Sequence, residues 1–216
     1  MNATFGFFDV DCREIAPTGA LTLRPRVQPL AERLQALYDY AVRHDLVTIF
    51  TTCCSGRMLE RGSRDDILFV PLDADDTDWS EGVPDARLIY LQKKAYGDPR
   101  VNFDCRAYDM FADNPHAAHL LRTLDIPEWV VFGNGFDLCV NSAVSGILCA
   151  GYAVTLLTDL MIPCGQLAYL AERGFGHIGT EAYRNDIYAE FVRQGARLST
   201  GEQLLRDEYG TVARPG

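Results

Sequence analysis

Apolar residues in this chain fall into short buried runs alternating with stretches of helical spacing. The first run, Thr4 to Phe8, is a compact aromatic-rich strand that delivers Asp9 at its carboxyl end. Residues 13–26 carry Pro17, Gly19 and Pro25 and read as a loop. Pro29 can open a helix to about His44, with Leu30, Leu34, Leu37, Tyr38 and Ala41 inward. Leu46 to Thr51 and Arg87 to Leu91 read as further strands, the second leading into Gln92, Lys93 and Lys94. Between them, residues 52–86 are polar, acidic and irregular, a long excursion of the kind that often carries function. Helical segments near 104–111 and 115–123 precede an apolar run, Trp129 to Phe132, that stops at Gly133-Asn134-Gly135. A helix then spans Phe136 to Ala150, with Phe136, Cys139, Val140, Ala143, Ile147 and Ala150 on one side. Gly151 ends it, and Tyr152 to Thr158 is a strand reaching Asp159. Segments around 165–173 and 179–194 are helical, and Ala196 to Ser199 is a short last strand.

Strands alternating with helices predict an α/β fold: a doubly wound, mostly parallel, Rossmann-like sheet with helices on both faces. At 216 residues, one domain over 1–216 is expected. In such sheets ligands bind beyond the carboxyl ends of the strands. Asp9, Lys93 or Lys94, and the turn leading to Cys139 all belong to such ends, so an acid, an amine and a thiol converge on one crevice.

Composition narrows the partners. Forty-eight per cent of residues are hydrophobic, and 30 acidic against 20 basic residues give a net charge of −10. That balance disfavours nucleic acid and anionic membranes as partners. No apolar stretch approaches the ~20 residues of a membrane span, and no secretory signal pattern is visible. Seven cysteines without regular spacing fit a reducing cytoplasm better than a disulfide framework.

Cys139 holds the most reactive position. A thiol in the first turns of a helix feels the positive end of its dipole, which favours thiolate, and the glycine turn can aim backbone N–H groups at the same spot. A nucleophile beside anion-binding amides is the layout of an acyl-transfer site. Two other readings compete: cysteine on an apolar helix face is commonly core, and Gly133, Gly135 and Leu138 approximate a dinucleotide fingerprint with Asp159 as ribose ligand. That second match lacks its third glycine, and Asp159 lies too far on.

These same residues resemble the isochorismatase-like cysteine hydrolases, the superfamily of nicotinamidases and N-carbamoylsarcosine amidases. The family's first strand ends in a D-x-Q-like motif, matched here with Asp9 on the acid and Asp11 on the glutamine. Its lysine lies in a K-x-x-Y/S pattern, matched by Lys93-Lys94-Ala95-Tyr96, with Lys94 the alternative. Its nucleophile motif is matched by Gly133 to Val140, centred on Cys139, followed by Gly151 and Asp159. The resemblance runs from about residue 4 to 160. It implies a triad of Asp9, Lys93 and Cys139, a cis bond at Asn134–Gly135, and an oxyanion held by the N–H groups of Gly135 and Cys139. Tyr96, Phe136 and Cys53 are expected to wall the substrate pocket. Asp137 reads as structural, and His116, His119 and His177 as surface residues.

Nicotinamidases carry a D-x-H metal motif after their second strand. Here that segment reads Thr51-Thr52-Cys53-Cys54-Ser55, and no histidine occurs between His44 and His116, so no metal or other cofactor is expected. The acidic cluster Asp73, Asp75, Asp76 and Asp78 reads as solvated. The reading is therefore a metal-independent amidohydrolase that cleaves a C–N bond of a small molecule, and the resemblance implies a homo-oligomer. Its rivals are an isochorismatase-type vinyl-ether hydrolase, whose members usually lack the cysteine, and a catalytically silent member binding a metabolite or partner.

Overall fold

The structure, a computed structural model, describes residues 4–16, 18, 20–52, 64–72, 78–93, 110–163, 174, 177 and 180–206. Seven strands form one sheet in the order β5-β6-β4-β1-β7-β8-β9, and every pairing within it is parallel. They are β1 (Gly6–Val10), β4 (Thr48–Phe50), β5 (Leu68–Val70), β6 (Leu88–Leu91), β7 (Glu128–Asn134), β8 (Ala153–Ile162) and β9 (Arg197–Ser199). A small antiparallel hairpin, β2 (Arg13–Ile15) with β3 (Leu21–Leu23), follows β1 directly. The helices are α1 (Ala31–Arg43), α2 (Met110–Asp113), α3 (Ala117–Leu124), α4 (Cys139–Cys149), α5 (Glu181–Arg193) and α6 (Gly201–Arg206).

The alternation of strand side chains explains how the helices cover both faces. Phe7 of β1 and Val130 and Phe132 of β7 pack against Leu34 and Leu37 of α1 and Leu204 of α6. Phe8, Val10, Trp129 and Val131 point the other way, onto Leu120 of α3, Val140, Val144 and Ile147 of α4, and Phe191 of α5. The architecture is the α/β, doubly wound sheet expected from sequence. The chain builds from β1 toward β4, β6 and β5 on one side and toward β7, β8 and β9 on the other. The order thus reverses at β1, where a parallel sheet opens its crevice.

Three differences from the expected elements bear on the site. β1 runs to Val10, so Asp9 lies inside the strand and Asp11 at its end. β8 continues past Asp159 to Ile162. The excursion after β4 contains an edge strand, β5, and a 3-10 turn at Asp78–Gly82. The helix expected over 165–173 lies outside the described residues, whereas α6 adds a helix beyond the expected last strand. No helix among the described residues is long and apolar enough to cross a membrane.

Candidate active site

Asp11 leaves β1 in the left-handed region, with φ 57, an uncommon conformation for a residue with a side chain. Its carboxylate is fully buried and fully engaged. Thr51, just beyond β4, donates to Oδ1 at 2.7 Å, and the Lys93 ammonium, two residues beyond β6, donates to Oδ2 at 2.8 Å. The Cys139 thiol is a further hydrogen-bond partner of the same carboxyl. Burial pushes the Asp11 pKa up. The Lys93 charge and the hydrogen bonds from Lys93, Thr51 and Cys139 outweigh that and hold it below its ordinary value of 3.8.

Each partner is positioned by the carboxyl end of a different strand. Beyond β6, Gln92 donates its N–H to Val70 of β5 at 3.0 Å, and its carbonyl accepts from Asn114 Nδ2 at 2.9 Å. This brace fixes the backbone immediately before Lys93, whose side chain is only 3% exposed. Cys139 is the first residue of α4, three residues later than the helix start expected from sequence, and is buried. Its thiol therefore sits at the positive end of an 11-residue helix. Gly133 explains how β7 comes so close to β1: a Cβ there would stand 2.1 Å from the Val10 carbonyl oxygen. Gly135, with φ 77, turns the chain back so that a Cβ placed on it would lie 3.7 Å from the Cys139 sulfur.

The structure thus brings together Asp11, Lys93 and Cys139, and not Asp9, Lys93 and Cys139. Asp9 is buried beneath the hairpin. Its Oδ1 accepts the Cys12 N–H at 3.2 Å, and its Oδ2 accepts Arg13 Nε at 3.0 Å and the Tyr38 hydroxyl at 2.8 Å. The physical reason is strand length. A buried, neutralised carboxylate lets β1 continue two residues further, and the mouth of the crevice falls to Asp11. Burial raises the Asp9 pKa, more than Arg13 and the hydrogen bonds from Cys12 and Tyr38 lower it. Reading Asp11-Cys12-Arg13 in the D-x-Q frame would have located Asp11, with Arg13 in place of the glutamine. Thr51 gave no separate signal, being one more residue at a strand end.

The turn before Cys139 also departs from expectation. All described peptide bonds are trans, Asn134–Gly135 included. The Gly135 N–H, expected to face an oxyanion, instead donates to the Ile162 carbonyl at 2.8 Å, and Phe136 N–H donates to the same oxygen at 3.1 Å. The extra length of β8 supplies that acceptor. Asn134 is buried, and its Oδ1 has no hydrogen-bond partner among the described residues. Phe136 is 1% exposed, its ring packed near Tyr183 and Tyr188 with the Arg184 guanidinium 5.6 Å away, so it joins the turn before α4 to α5 instead of walling an open pocket. Asp137 is buried.

Cys53, Lys94, Tyr96 and the acidic side chains of 73–78 lie outside the described residues. His116 is buried with its ring edge-on to Trp79 at 5.4 Å, correcting the surface expectation, while His119 and His177 are exposed. Asp159 is not a strand end, because β8 runs on to Ile162. It accepts the Gly201 N–H at 2.7 Å and pairs with Arg33 at 3.6 Å, tying α6 and α1 to β8. Among the described residues, no group of three or more His, Cys, Asp or Glu is arranged to hold a metal ion.

No family model and no curated protein sequence matches this chain. Solved structures match it throughout. An isochorismatase-like hydrolase from Alkaliphilus metalliredigens is 16% identical with a TM-score of 0.57, covering 95% of this chain and 99% of that one. A pyrazinamidase of Pyrococcus horikoshii, solved in complex with zinc, is 13% identical with a TM-score of 0.56, covering 92% and 99%. The YcaC gene product of Escherichia coli, an octameric hydrolase of unknown specificity, is 16% identical with a TM-score of 0.52, covering 94% and 78%. The fold is therefore that of the isochorismatase-like hydrolases.

Proposed function

We propose that this chain is a hydrolase that cleaves an amide-type C–N bond of a small molecule through a covalent intermediate on Cys139. One observation carries the reading: a single buried carboxylate, Asp11, contacts both the Lys93 ammonium and the Cys139 thiol, with that thiol at the start of α4. A metabolite-binding module has no use for a thiol and a buried ammonium gathered on one carboxylate, and vinyl-ether hydrolysis has none for the thiol.

Asp11 is ionised at neutral pH and has the Cys139 thiol as a hydrogen-bond partner, which places it to take that proton. It accepts the Cys139 S–H proton as the sulfur attacks the substrate carbon and the S–C bond forms. Lys93 and the α4 dipole stabilise the anionic charge that passes between carboxylate and sulfur. Asp11 returns its proton to the departing nitrogen as the C–N bond breaks, leaving a thioester on Cys139. Water then attacks, giving a proton to Asp11; the S–C bond breaks, the acid leaves, and the thiolate recovers the proton.

No histidine occurs in the sequence between His44 and His116, so the mechanism is read as metal-independent. We also read residues 1–216 as one domain that assembles as a homo-oligomer, as the octameric Escherichia coli hydrolase of the same fold supports. Seven cysteines without regular spacing support a reducing, cytoplasmic setting. Assaying ammonia release from a panel of small carboxamides and N-carbamoyl compounds tests the proposal. Turnover that disappears in Cys139→Ala and persists in Cys149→Ala supports it, and turnover that survives in Cys139→Ala refutes it.

A further inference from the structure

The Asp9 carboxylate has no place in the chemistry above, yet burying it beneath the hairpin is costly unless its partners hold it for a purpose. Its partners come from three directions. The backbone N–H of Cys12 binds Oδ1 at 3.2 Å, while Arg13 Nε and the Tyr38 hydroxyl bind Oδ2 at 3.0 and 2.8 Å. Arg13 is itself clamped, its Cζ 3.7 Å from the centre of the Tyr38 ring and 5.5 Å from that of Phe50. Tyr38 belongs to α1, so the carboxylate joins the helix, the hairpin and the strand at one point.

The peptide that Asp9 grips is the one following Asp11. With φ 57, Asp11 holds a left-handed conformation that is uncommon for a residue with a side chain. The bond from Cys12 N–H to Asp9 spans the Asp11 backbone from one side to the other. Released, Asp11 would relax toward an ordinary conformation, and its carboxylate would swing from Lys93 and Cys139. We propose that Asp9 is a positioning residue, held by Arg13 and Tyr38, that locks the Asp11 backbone so its carboxylate meets Lys93 and the Cys139 thiol. This rests on the reading of Asp11 as the base for Cys139.

The test is a double-mutant cycle that needs no substrate. The rate of iodoacetamide alkylation at Cys139 is followed at pH 7 by peptide-resolved mass spectrometry in wild type, Asp9→Asn, Asp11→Asn and the double variant. The Asp9→Asn change keeps the side-chain volume but turns an N–H toward Arg13 and loses the two-oxygen grip. Asp11→Asn should slow Cys139 about tenfold or more, within the range expected of a positioned base. Asp9→Asn should slow it about three- to tenfold, and should add less than about twofold in the Asp11→Asn background, because residues acting through one another are not additive. Should Asp9→Asn fail to fold, Tyr38→Phe, which removes one donor to Asp9, takes its place: about twofold to threefold slowing is expected, vanishing in the Asp11→Asn background. Equal slowing in both backgrounds, or none in wild type, overturns the positioning role. If Asp11→Asn leaves Cys139 unchanged, it is the reading of Asp11 as base that fails.

Discussion

Lys93 donates a 2.8 Å hydrogen bond to Asp11, and both side chains are almost completely sealed from water, at 3% and 1% exposure. They come from the ends of strands 82 positions apart in sequence, so folding brings two charges into a place where neither is tolerated alone. That pair anchors the site, and its energetics are measurable without a substrate.

Breaking the pair from one side should be far worse than removing it whole. Lys93→Met leaves the Asp11 carboxylate buried without its countercharge, and a loss of about 3–5 kcal/mol in unfolding free energy is expected. Lys93→Met combined with Asp11→Asn should be clearly less destabilised than the sum of the two single changes. Urea denaturation of the three variants measures this, and strict additivity would show that the two groups are not coupled.

The two aspartates should act oppositely in acid. The Asp11 pKa is depressed in the folded protein, so its contribution to stability is present above the ordinary value of 3.8 and is lost as the pH falls through the folded value. Asp9, with its pKa raised, favours its protonated form in the fold, so its contribution grows as the pH falls through that raised value toward 3.8 and is lost on the way back up. Urea midpoints between pH 3 and 7 should therefore fall less steeply in acid for Asp11→Asn than for wild type, and more steeply for Asp9→Asn. Parallel profiles for all three would contradict the assignment of these shifts.

Much of the fold was legible because strand and helix periods are set by burial. The runs at Trp129–Phe132 and Ile89–Leu91 and the leucines of α1 are buried as their spacing required. Boundaries failed where a polar residue was buried with partners from elsewhere. Asp9 looks like a strand end in sequence, because its partner Tyr38 lies 29 positions away. β8 looks finished at Asp159 because nothing local announces that Gly201 will satisfy that carboxylate. Lys93 and Cys139, singled out from their motifs, do meet one buried carboxylate, and that carboxylate is Asp11, two residues beyond the expected Asp9, whose own long-range bonds nothing local announces.

Gly133 should be intolerant of any side chain. A methyl there meets the Val10 carbonyl oxygen at 2.1 Å, so Gly133→Ala must push β7 from β1 beside the site, at a cost expected to exceed about 3 kcal/mol. Gly151 also has positive φ, at 91, but its Cβ would meet nothing within 4 Å, and Gly151→Ala should lose only about 1–2 kcal/mol. Thermal unfolding of the two variants separates backbone strain from steric collision, and similar losses would show that the approach of β7 to β1 is looser than described.

Asp159 should matter to stability and not to chemistry. Asp159→Ala removes the acceptor for the Gly201 N–H and the partner of Arg33, with an expected loss of about 1 kcal/mol and unchanged alkylation of Cys139. A variant of ordinary stability whose Cys139 reactivity falls severalfold would place Asp159 at the site after all.

The most direct test is to catch the covalent intermediate. A carboxamide or N-carbamoyl compound found to be turned over is mixed with the protein, quenched in acid during turnover, and the protein digested for mass spectrometry. A mass increase equal to the substrate less its departing amine should appear on the peptide containing Cys139, and be absent in Cys139→Ser and strongly reduced in Asp11→Asn. Steady turnover in Cys139→Ala, or an adduct on another cysteine that forms as fast as product, would contradict the assignment of Cys139 as the nucleophile.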